Sequence, residues 1–185
     1  MTWNIKKIFT FLRSRFIDQK KFKFLNLEIG NFKYSLAKND EKLRVFLSSA
    51  DQKKAIEEDL FPHFDDQQEY FKQFLNFDRE DVLCYLCKKD NKIVHYFLVF
   101  TDVKNSPLKK TKFSKLMDSF PNSAYLGNAF TITEERGGWI VLQVLSRIID
   151  DLKKLHGIKN ILVLIHTDTK GALKFYQKLG FKIVS

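Results

Sequence analysis

The sequence predicts an α/β (α+β) fold, in which one domain has a mixed central β-sheet flanked by helices and an additional basic, amphipathic helix at the N-terminus. The chain has 185 residues, of which 44% are hydrophobic, so it can bury one sizeable core. Apolar runs of strand length alternate with helical patterns between residues 124 and 184. No internal repeat or low-complexity linker divides the chain.

Residues 3–17 have the apolar pattern of an amphipathic helix, with one face formed by Ile5, Ile8, Phe9, Leu12 and Phe16. Residues 1–24 also contain seven Lys or Arg against one Asp. This pattern is typical of a helix on an anionic membrane surface, and equally of a helix docked on its own domain or on a partner subunit. We therefore treat residues 1–24 as a separate element and residues 25–185 as the main domain.

The first half of the main domain begins with a predicted strand near Leu25–Ser35, which has a turn or bulge at Gly30. Residues 40–76 have mostly helical spacing, interrupted at Pro62. Their apolar positions include Leu43, Val45, Phe46, Ile56 and Leu60.

A β-hairpin is predicted over Asp81–Val103, where two apolar runs flank the polar residues 88–92. Cys84 and Cys87 lie in its first strand, and a spacing of three puts their side chains on opposite faces. We therefore expect two free thiols with no shared metal or disulfide. Residues 104–122 are lysine-rich and are predicted to form a loop with one short helix.

The C-terminal region has the clearest alternation. A strand over Ala124–Thr133 is followed by a helix over about 139–156, a strand over Asn160–His166, a helix over about 169–179 and a strand over Phe181–Val184. Gly157 and Gly180 end the two helices in the usual manner. The run Ile161–Ile165 is apolar throughout, which indicates a strand covered on both faces.

The composition argues against several classes of protein. No run of eighteen apolar residues predicts a spanning helix, and no secretory signal pattern is present, so the cytoplasm is expected, with peripheral contact at the inner membrane face as an alternative. The net charge is +10, but the excess is concentrated near the N-terminus and no nucleic-acid-binding motif accompanies it. The His, Cys, Asp and Glu residues have no metal-ligand spacing, so no metal is expected.

Gly137 and Gly138 precede a predicted helix and can expose backbone N–H groups there. A helix N-terminus carries unsatisfied donors and about half a positive charge, which suits an anion. The sequence therefore predicts a site for a phosphate-bearing cofactor at this position.

The segment that follows carries a more specific pattern. Ala172, Tyr176, Gly180 and Phe181 match Asn-x-x-Ala-x-x-x-Tyr-x-x-x-Gly-Phe, with Thr169 at the asparagine position. In this respect the C-terminal region resembles the GNAT superfamily of acyl-CoA-dependent N-acyltransferases, in which an [Arg/Gln]-x-x-Gly-x-[Gly/Ala] loop opens the preceding helix.

The resemblance implies acetyl-CoA as co-substrate and assigns roles to individual positions. Tyr176 would protonate the departing CoA thiolate. The backbone of Ala129, Phe130 and Thr131 would bind the pantetheine arm in a gap between strands, and Thr169 would contribute one hydrogen bond. The residues of the implied pyrophosphate loop are Arg136, Gly137, Gly138, Trp139, Ile140 and Val141. With Arg136 as the first motif position, Trp139 and Val141 occupy positions where the family has small residues. With Glu135 first, Gly138 is in place and Ile140 occupies the second small position.

The sequence does not fix the base that would take the proton of the amine. His166, at the end of a strand, is the first candidate. His63, with Asp65 and Asp66, is an alternative, and Glu134 and Glu135 lie close to the loop. His95 lies in an apolar strand and is expected to be a core histidine.

The implied function is transfer of an acetyl group to the amine of a small molecule, such as an amino sugar or other metabolite. Protein or peptide acetylation, a non-catalytic binding module and a membrane-surface acyltransferase with a lipid-linked acceptor are alternatives. The usual final strand of the family is missing after Phe181–Val184. A partner subunit could supply this strand, so we also expect a homodimer formed by strand exchange.

Overall fold

The computed structural model describes residues 21–34, 43–47, 53–63, 79–137, 139–154 and 157–185. In this part of the chain seven strands form one sheet: β1 (Phe22–Glu28), β2 (Leu43–Leu47), β3 (Val82–Lys89), β4 (Lys92–Phe100), β5 (Ser123–Thr131), β6 (Asn160–His166) and β7 (Lys182–Ile183). The helices are α1 (Lys53–Leu60), the short α2 (Ser114–Met117), α3 (Trp139–Lys154) and α4 (Lys170–Lys178). The expected N-terminal helix falls in residues 1–20, outside the described residues.

The strand order is β2-β3-β4-β5-β6-β1-β7. All neighbouring strands are antiparallel except β5 and β6, which are parallel. The parallel pair is connected by α3, as a parallel connection requires a crossover. The mixed sheet with flanking helices confirms the predicted fold class.

The sheet has a core on each face, because the strand residues alternate between the two sides. On one face the strands pack with residues of α3 and α4, including Val144, Ile148 and Leu179. On the other face they pack with α1 and with the segment 103–120, including Ile56, Leu108 and Phe113. Ile161 and Leu162 of β6 belong to opposite cores, so this strand is covered on both faces as predicted.

The hairpin of β3 and β4 is confirmed, and its turn is tighter than the sequence suggested. Asp90 and Asn91 form a two-residue connection, with φ angles of 49° and 67°. Two successive positive φ angles are those of a type I′ turn, which Asp and Asn tolerate. The two cysteines are free thiols, with Cys87 in one core and Cys84 packed against the other, as expected.

One prediction for the first half of the domain is wrong. Residues 43–47 form β2 at the edge of the sheet, paired with β3 from Leu43↔Lys89 to Leu47↔Tyr85, and are not helical. Leu43 and Val45 pack on one face of the sheet and Phe46 on the other, which is the period of two of a strand. In so short a segment the same apolar residues also fit a helical period. Within the stretch 40–76 predicted to be mostly helical, residues Lys53–Leu60 do form a helix, and it ends at the predicted interruption, in the 3₁₀ turn Phe61–His63.

The position of β1 removes the reason for expecting strand exchange. β1 lies between β6 and β7 and pairs with both, from Phe22↔His166 to Glu28↔Asn160 and at Leu25↔Ile183. Backbone bonds between Phe24 and residues 184 and 185 extend the second pairing. The chain therefore completes this side of the sheet with its own strand, and the sheet already begins at Phe22, within the segment assigned to the N-terminal element.

Candidate active site

β5 and β6 separate part of the way along their length. Their parallel pairing covers only Ser123↔Asn160 to Leu126↔Val163. Beyond it β6 remains paired with β1 up to His166, and β5 remains paired with β4 up to Thr131. A gap therefore opens between the C-terminal ends of the two strands, where the sequence resemblance implied one.

A β-bulge in β5 marks the start of the gap. The pairing with β4 steps from Val99↔Leu126 to Phe97↔Ala129, so that Gly127 and Asn128 together lie opposite Leu98. Such a bulge bends its strand and increases the local twist. Gly127 suits the bulge because a Cβ there would lie 2.7 Å from Cε2 of Phe100.

The three strand residues predicted to bind the acyl donor form one wall of this gap. Ala129, Phe130 and Thr131 pair with β4 on one side and have no ladder partner in β6 on the other. The Phe130 ring stacks on Tyr96, with centroids 6.2 Å apart. The edge of this segment that faces away from β4 can form backbone hydrogen bonds with an extended, amide-containing ligand.

The loop after β5 connects the gap to the N-terminus of α3. Residues 133–135 form a 3₁₀ turn, and Gly137 has a φ of 145°, which L side chains rarely adopt. The Nε of Arg136 donates a hydrogen bond to the Thr131 carbonyl oxygen at 3.2 Å, so its guanidinium lies at the entrance of the gap. Gly138 is outside the described residues.

The first turn of α3 provides the donors of a helix N-terminus. Ile140 is buried in the core and Val141 packs against it, so both side chains point away from the solvent-facing end. Trp139, in contrast, is 48% exposed. The large residues at positions 140 and 141 thus leave the entrance clear, and Trp139 alone of these three projects into solvent.

Two carboxylates of the loop are paired with other groups. Both oxygens of Glu135 accept hydrogen bonds from Nζ of Lys89, at 2.6 and 2.8 Å. Glu134 lies 3.9 Å from Nδ1 of His63. Because Lys89 compensates the charge of Glu135, this carboxylate repels a nearby phosphate less than an unpaired one.

Tyr176 lies on α4 with its ring in the core, in edge contact with Phe175 and Phe181 at centroid distances of 5.6 and 5.0 Å. Burial raises the pKa of Tyr176 above its ordinary value of about 10. The phenol is therefore neutral and can act only as a proton donor near neutral pH.

His166 ends β6 at the other side of the gap. Its Nδ1 accepts a hydrogen bond from the Asp168 N–H at 3.2 Å, and its ring meets Phe22 edge-on. The same Nδ1 lies 3.5 Å from Oδ2 of Asp168, so both the backbone N–H and the carboxylate of Asp168 lie near this atom. The exposed Thr169 donates its hydroxyl to the His166 carbonyl oxygen and begins α4.

His95 is fully buried in β4, as expected of a core histidine. The sequence did not reveal its contact with the candidate site, where its Nδ1 lies 2.8 Å from Oγ1 of Thr131. The pairing His95↔Thr131 could not be read from the sequence, because bulges on both sides of β4 shift the register.

Three other findings concern the rest of the described residues. A pocket of about 330 Å³ lies at the opposite end of β5, lined by residues such as Asp102, Lys104 and Ser123, and none of the predicted site residues lines it. Among the described residues, no group of three or more His, Cys, Asp or Glu could hold a metal ion, and no helix is long and apolar enough to cross a bilayer.

Residues 50–181 match the model of the Acetyltransferase (GNAT) family. The match covers more than half of the chain, so the protein belongs to this family of acetyl-transferring enzymes. A comparison with curated protein sequences gives no significant match.

Solved structures show the same fold at low identity. The glucosamine N-acetyltransferase region of a fungal multi-domain β-N-acetylglucosaminidase is 14% identical with a TM-score of 0.64, over 88% of this chain and 19% of that one. A GCN5-related N-acetyltransferase from Kribbella flavida is also 14% identical, with a TM-score of 0.54 over 87% and 53%. NAA60 of Arabidopsis thaliana in complex with acetyl-CoA is 13% identical, with a TM-score of 0.53 over 77% and 86%. The chain thus spans about a fifth of the fungal protein and about half of the bacterial one.

Proposed function

We propose that the protein transfers the acetyl group of acetyl-CoA to the amine of a small molecule. The observation that carries this proposal is the gap between β5 and β6. It opens next to the loop that contains Arg136 and Gly137 and next to the N-terminus of α3. A strand edge that faces a gap suits the amides of the pantetheine arm, and a helix N-terminus suits the pyrophosphate. The acetyl-CoA complex of a structural neighbour supports the choice of donor.

In the proposed reaction, the neutral amine nitrogen attacks the thioester carbonyl carbon and a C–N bond forms. The C–S bond breaks, and the leaving thiolate takes a proton from the Tyr176 hydroxyl. Tyr176 is suited to this step because burial raises its pKa and keeps its hydroxyl neutral near neutral pH. The tyrosinate then recovers a proton from solvent, and the amine loses its own proton to a base.

Two histidines, His63 and His166, are candidates for the base that takes the proton of the amine. Nδ1 of His166 accepts a hydrogen bond from the Asp168 N–H and lies 3.5 Å from Oδ2 of Asp168. Nδ1 of His63 lies 3.9 Å from Oε2 of Glu134, so each ring has a carboxylate beside Nδ1 and would use Nε2 to take the proton. A kcat that decreases in His63→Gln more than in His166→Gln would support His63 as the base.

An amino sugar is the first acceptor class to test. Two structural neighbours are a glucosamine N-acetyltransferase region and an aminoglycoside 6′-N-acetyltransferase, which supports this choice. Peptide N-termini are the next class, since other neighbours include a ribosomal-protein-alanine N-acetyltransferase from Escherichia coli. The lysine-rich segment follows β4 at the opposite end of the sheet from the loop, so we do not assign its lysines to the acceptor.

The first experiment is calorimetric titration of the protein with acetyl-CoA and with desulfo-CoA. We expect micromolar binding of both, since the phosphates and the arm supply the contacts. Release of free thiol is then measured with amino sugars, aminoglycosides and peptides. Absence of binding up to millimolar concentration would contradict the proposal and favour a non-catalytic module.

Peripheral contact of residues 1–20 with an anionic membrane remains a proposal, because these residues are outside the described part of the chain. Flotation with anionic liposomes tests it, with a variant lacking residues 1–20 as the control. Equal recovery of the two proteins in the lipid fraction would contradict it, and with it a lipid-linked acceptor.

A further inference from the structure

Thr131 connects a fully buried histidine to the candidate site. It is the last residue of β5, half-buried, and lies directly opposite His95 in the ladder with β4. The Ile132 N–H donates to the Val94 carbonyl oxygen at 3.0 Å, so the chain is still held to β4 just beyond Thr131. Oγ1 of Thr131 lies 2.8 Å from Nδ1 of the buried His95, within hydrogen-bond distance.

The outer side of Thr131 belongs to the gap. Its carbonyl oxygen accepts the hydrogen bond from Nε of Arg136, and the residue has no ladder partner in β6. Thr131 is thus the last residue of the bulged strand β5, directly before the loop that leads to α3.

The protonation of His95 determines what the hydroxyl of Thr131 can do. Burial lowers the pKa of His95 to about 3, so the ring is neutral at physiological pH and carries one proton. Nε2 is buried and has no hydrogen-bond partner within the described residues. An orphaned N–H in a core is rarer than an orphaned acceptor, which favours the proton on Nδ1.

With the proton on Nδ1, His95 donates to Oγ1 of Thr131, and the hydroxyl proton is not used in that bond. It remains available for an acceptor on the outer side of the residue. A backbone amide of β5 can also bind a ligand here, but it needs no help from His95.

We propose that His95 is a positioning residue that fixes the Thr131 hydroxyl as a hydrogen-bond donor to an oxygen of the acyl donor. This inference rests on the proposed function, because the ligand is the acetyl-CoA expected in the gap. His95 itself touches neither the donor nor the acceptor. It acts by orienting one hydroxyl at the end of the strand on which the donor lies.

The test uses Thr131→Val, which keeps the shape of the side chain and removes the hydroxyl, with Thr131→Ser as the matched control. Dissociation constants for acetyl-CoA and thermal midpoints are measured for the wild type and both variants. We expect Thr131→Val to weaken binding about five- to tenfold, the equivalent of one hydrogen bond. Thr131→Ser should bind within about twofold of the wild type.

His95 is tested by His95→Leu and His95→Asn, since an Asn side chain has a polar atom near the position of Nδ1. His95→Leu should weaken binding in the same direction as Thr131→Val, and His95→Asn should restore most of the affinity. If His95→Leu does not fold, ¹⁵N chemical shifts of the wild-type histidine side chains give an independent readout. They should show His95 protonated on Nδ1, and a proton on Nε2 would overturn the proposal.

The outcomes separate this inference from the proposed function. A wild type that does not bind acetyl-CoA overturns both. A wild type that binds, with a Thr131→Val variant that melts lower but binds equally well, leaves the proposed function standing and overturns the role of His95.

Discussion

At the scale of single residues, the site depends on how burial changes the acid–base behaviour of its side chains. Tyr176 and His95 are both buried, and burial disfavours the charged form of each. Burial therefore raises the pKa of Tyr176 and lowers that of His95, because tyrosine is charged when it loses a proton and histidine when it gains one.

For Tyr176 we expect the catalysed reaction to depend on the hydroxyl but not on alkaline pH. An acid works in its protonated form and fails as the pH rises through its pKa, and here the pKa is raised above its ordinary value of about 10. Tyr176→Phe should lower kcat roughly a hundredfold and leave acetyl-CoA affinity unchanged. Turnover measured from pH 7 to pH 10 should show no alkaline decline due to Tyr176.

An alkaline decline near pH 8 that disappears in Tyr176→Phe would contradict this assignment. Unchanged turnover in Tyr176→Phe would instead identify the tyrosine as a core residue only.

For His95 we expect a cost in stability under acidic conditions. The pKa is about 3 in the folded chain and about 6.5 in the unfolded chain, so between these values only the unfolded chain takes up the proton. The free energy of unfolding should therefore decrease as the pH falls through this window, by up to about 1.4 kcal/mol per unit from this group. His95→Asn removes the contribution.

Urea unfolding of the wild type and His95→Asn at pH 7.5, 5.5 and 4.5 measures it. The difference in unfolding free energy should shift in favour of the variant as the pH falls. Parallel profiles for the two proteins would show that His95 is not responsible.

At the scale of elements, the bulge in β5 and the loop before α3 are the two features that make the gap. The bulge needs a residue without a side chain at Gly127, because the Phe100 ring occupies the space of its Cβ. The loop needs a partner for Glu135, which Lys89 provides from the end of β3.

Gly127→Ala should therefore affect both stability and the site. The Cβ would lie 2.7 Å from the buried Phe100 ring, and overpacking of this kind costs about 1–3 kcal/mol. Gly30→Ala is the matched control, since nothing lies within 4 Å of the Cβ position at Gly30. Urea unfolding and acetyl-CoA titration should both change in Gly127→Ala and stay close to wild type in Gly30→Ala.

Lys89→Ala should weaken acetyl-CoA binding, because it leaves the Glu135 carboxylate uncompensated beside the loop. We expect a few-fold increase in the dissociation constant at low salt and a smaller one at high salt, as screening reduces the repulsion. The double variant Lys89→Ala, Glu135→Gln removes the charge and should bind like the wild type. Equal weakening in the single and double variants would argue against this electrostatic account.

At the scale of the whole molecule, β1 integrates the N-terminal part of the chain into the sheet. Leu25 and Leu27 are almost completely buried, and the strand lies between β6 and β7. We expect a variant that starts at Lys21 to unfold cooperatively, and one that starts at Ile29 to lose its cooperative transition. Circular dichroism melting compares the two, and a cooperative transition in the shorter variant would contradict the structural importance of β1.

Because β1 pairs with β6 and β7 of the same chain, we also expect no exchange of strands between copies. Sedimentation at micromolar concentration should not detect a dimer that depends on β1. A dimer that dissociates on substitution of Leu25 or Leu27, with the fold retained, would contradict this expectation.

The sequence by itself determined the alternation of strands and helices after residue 80, because that region has long apolar runs with clear periods and glycines at the helix ends. It also determined Ala172, Tyr176, Gly180 and Phe181 as a recognisable motif, since these positions lie close together in the chain. The short strand β2 was missed because five residues with few neighbours are too short to distinguish a period of two from a helical one.

Only the tertiary structure decided what depends on contacts distant in sequence. The insertion of β1 between β6 and β7, the pairing of Lys89 with Glu135, and the contact of His95 with Thr131 join segments 36 or more residues apart. Their registers follow from bulges and from side-chain packing, which no local pattern encodes. The family motif could thus be predicted from residues that are close in sequence, whereas these long-range contacts could be identified only in the folded sheet.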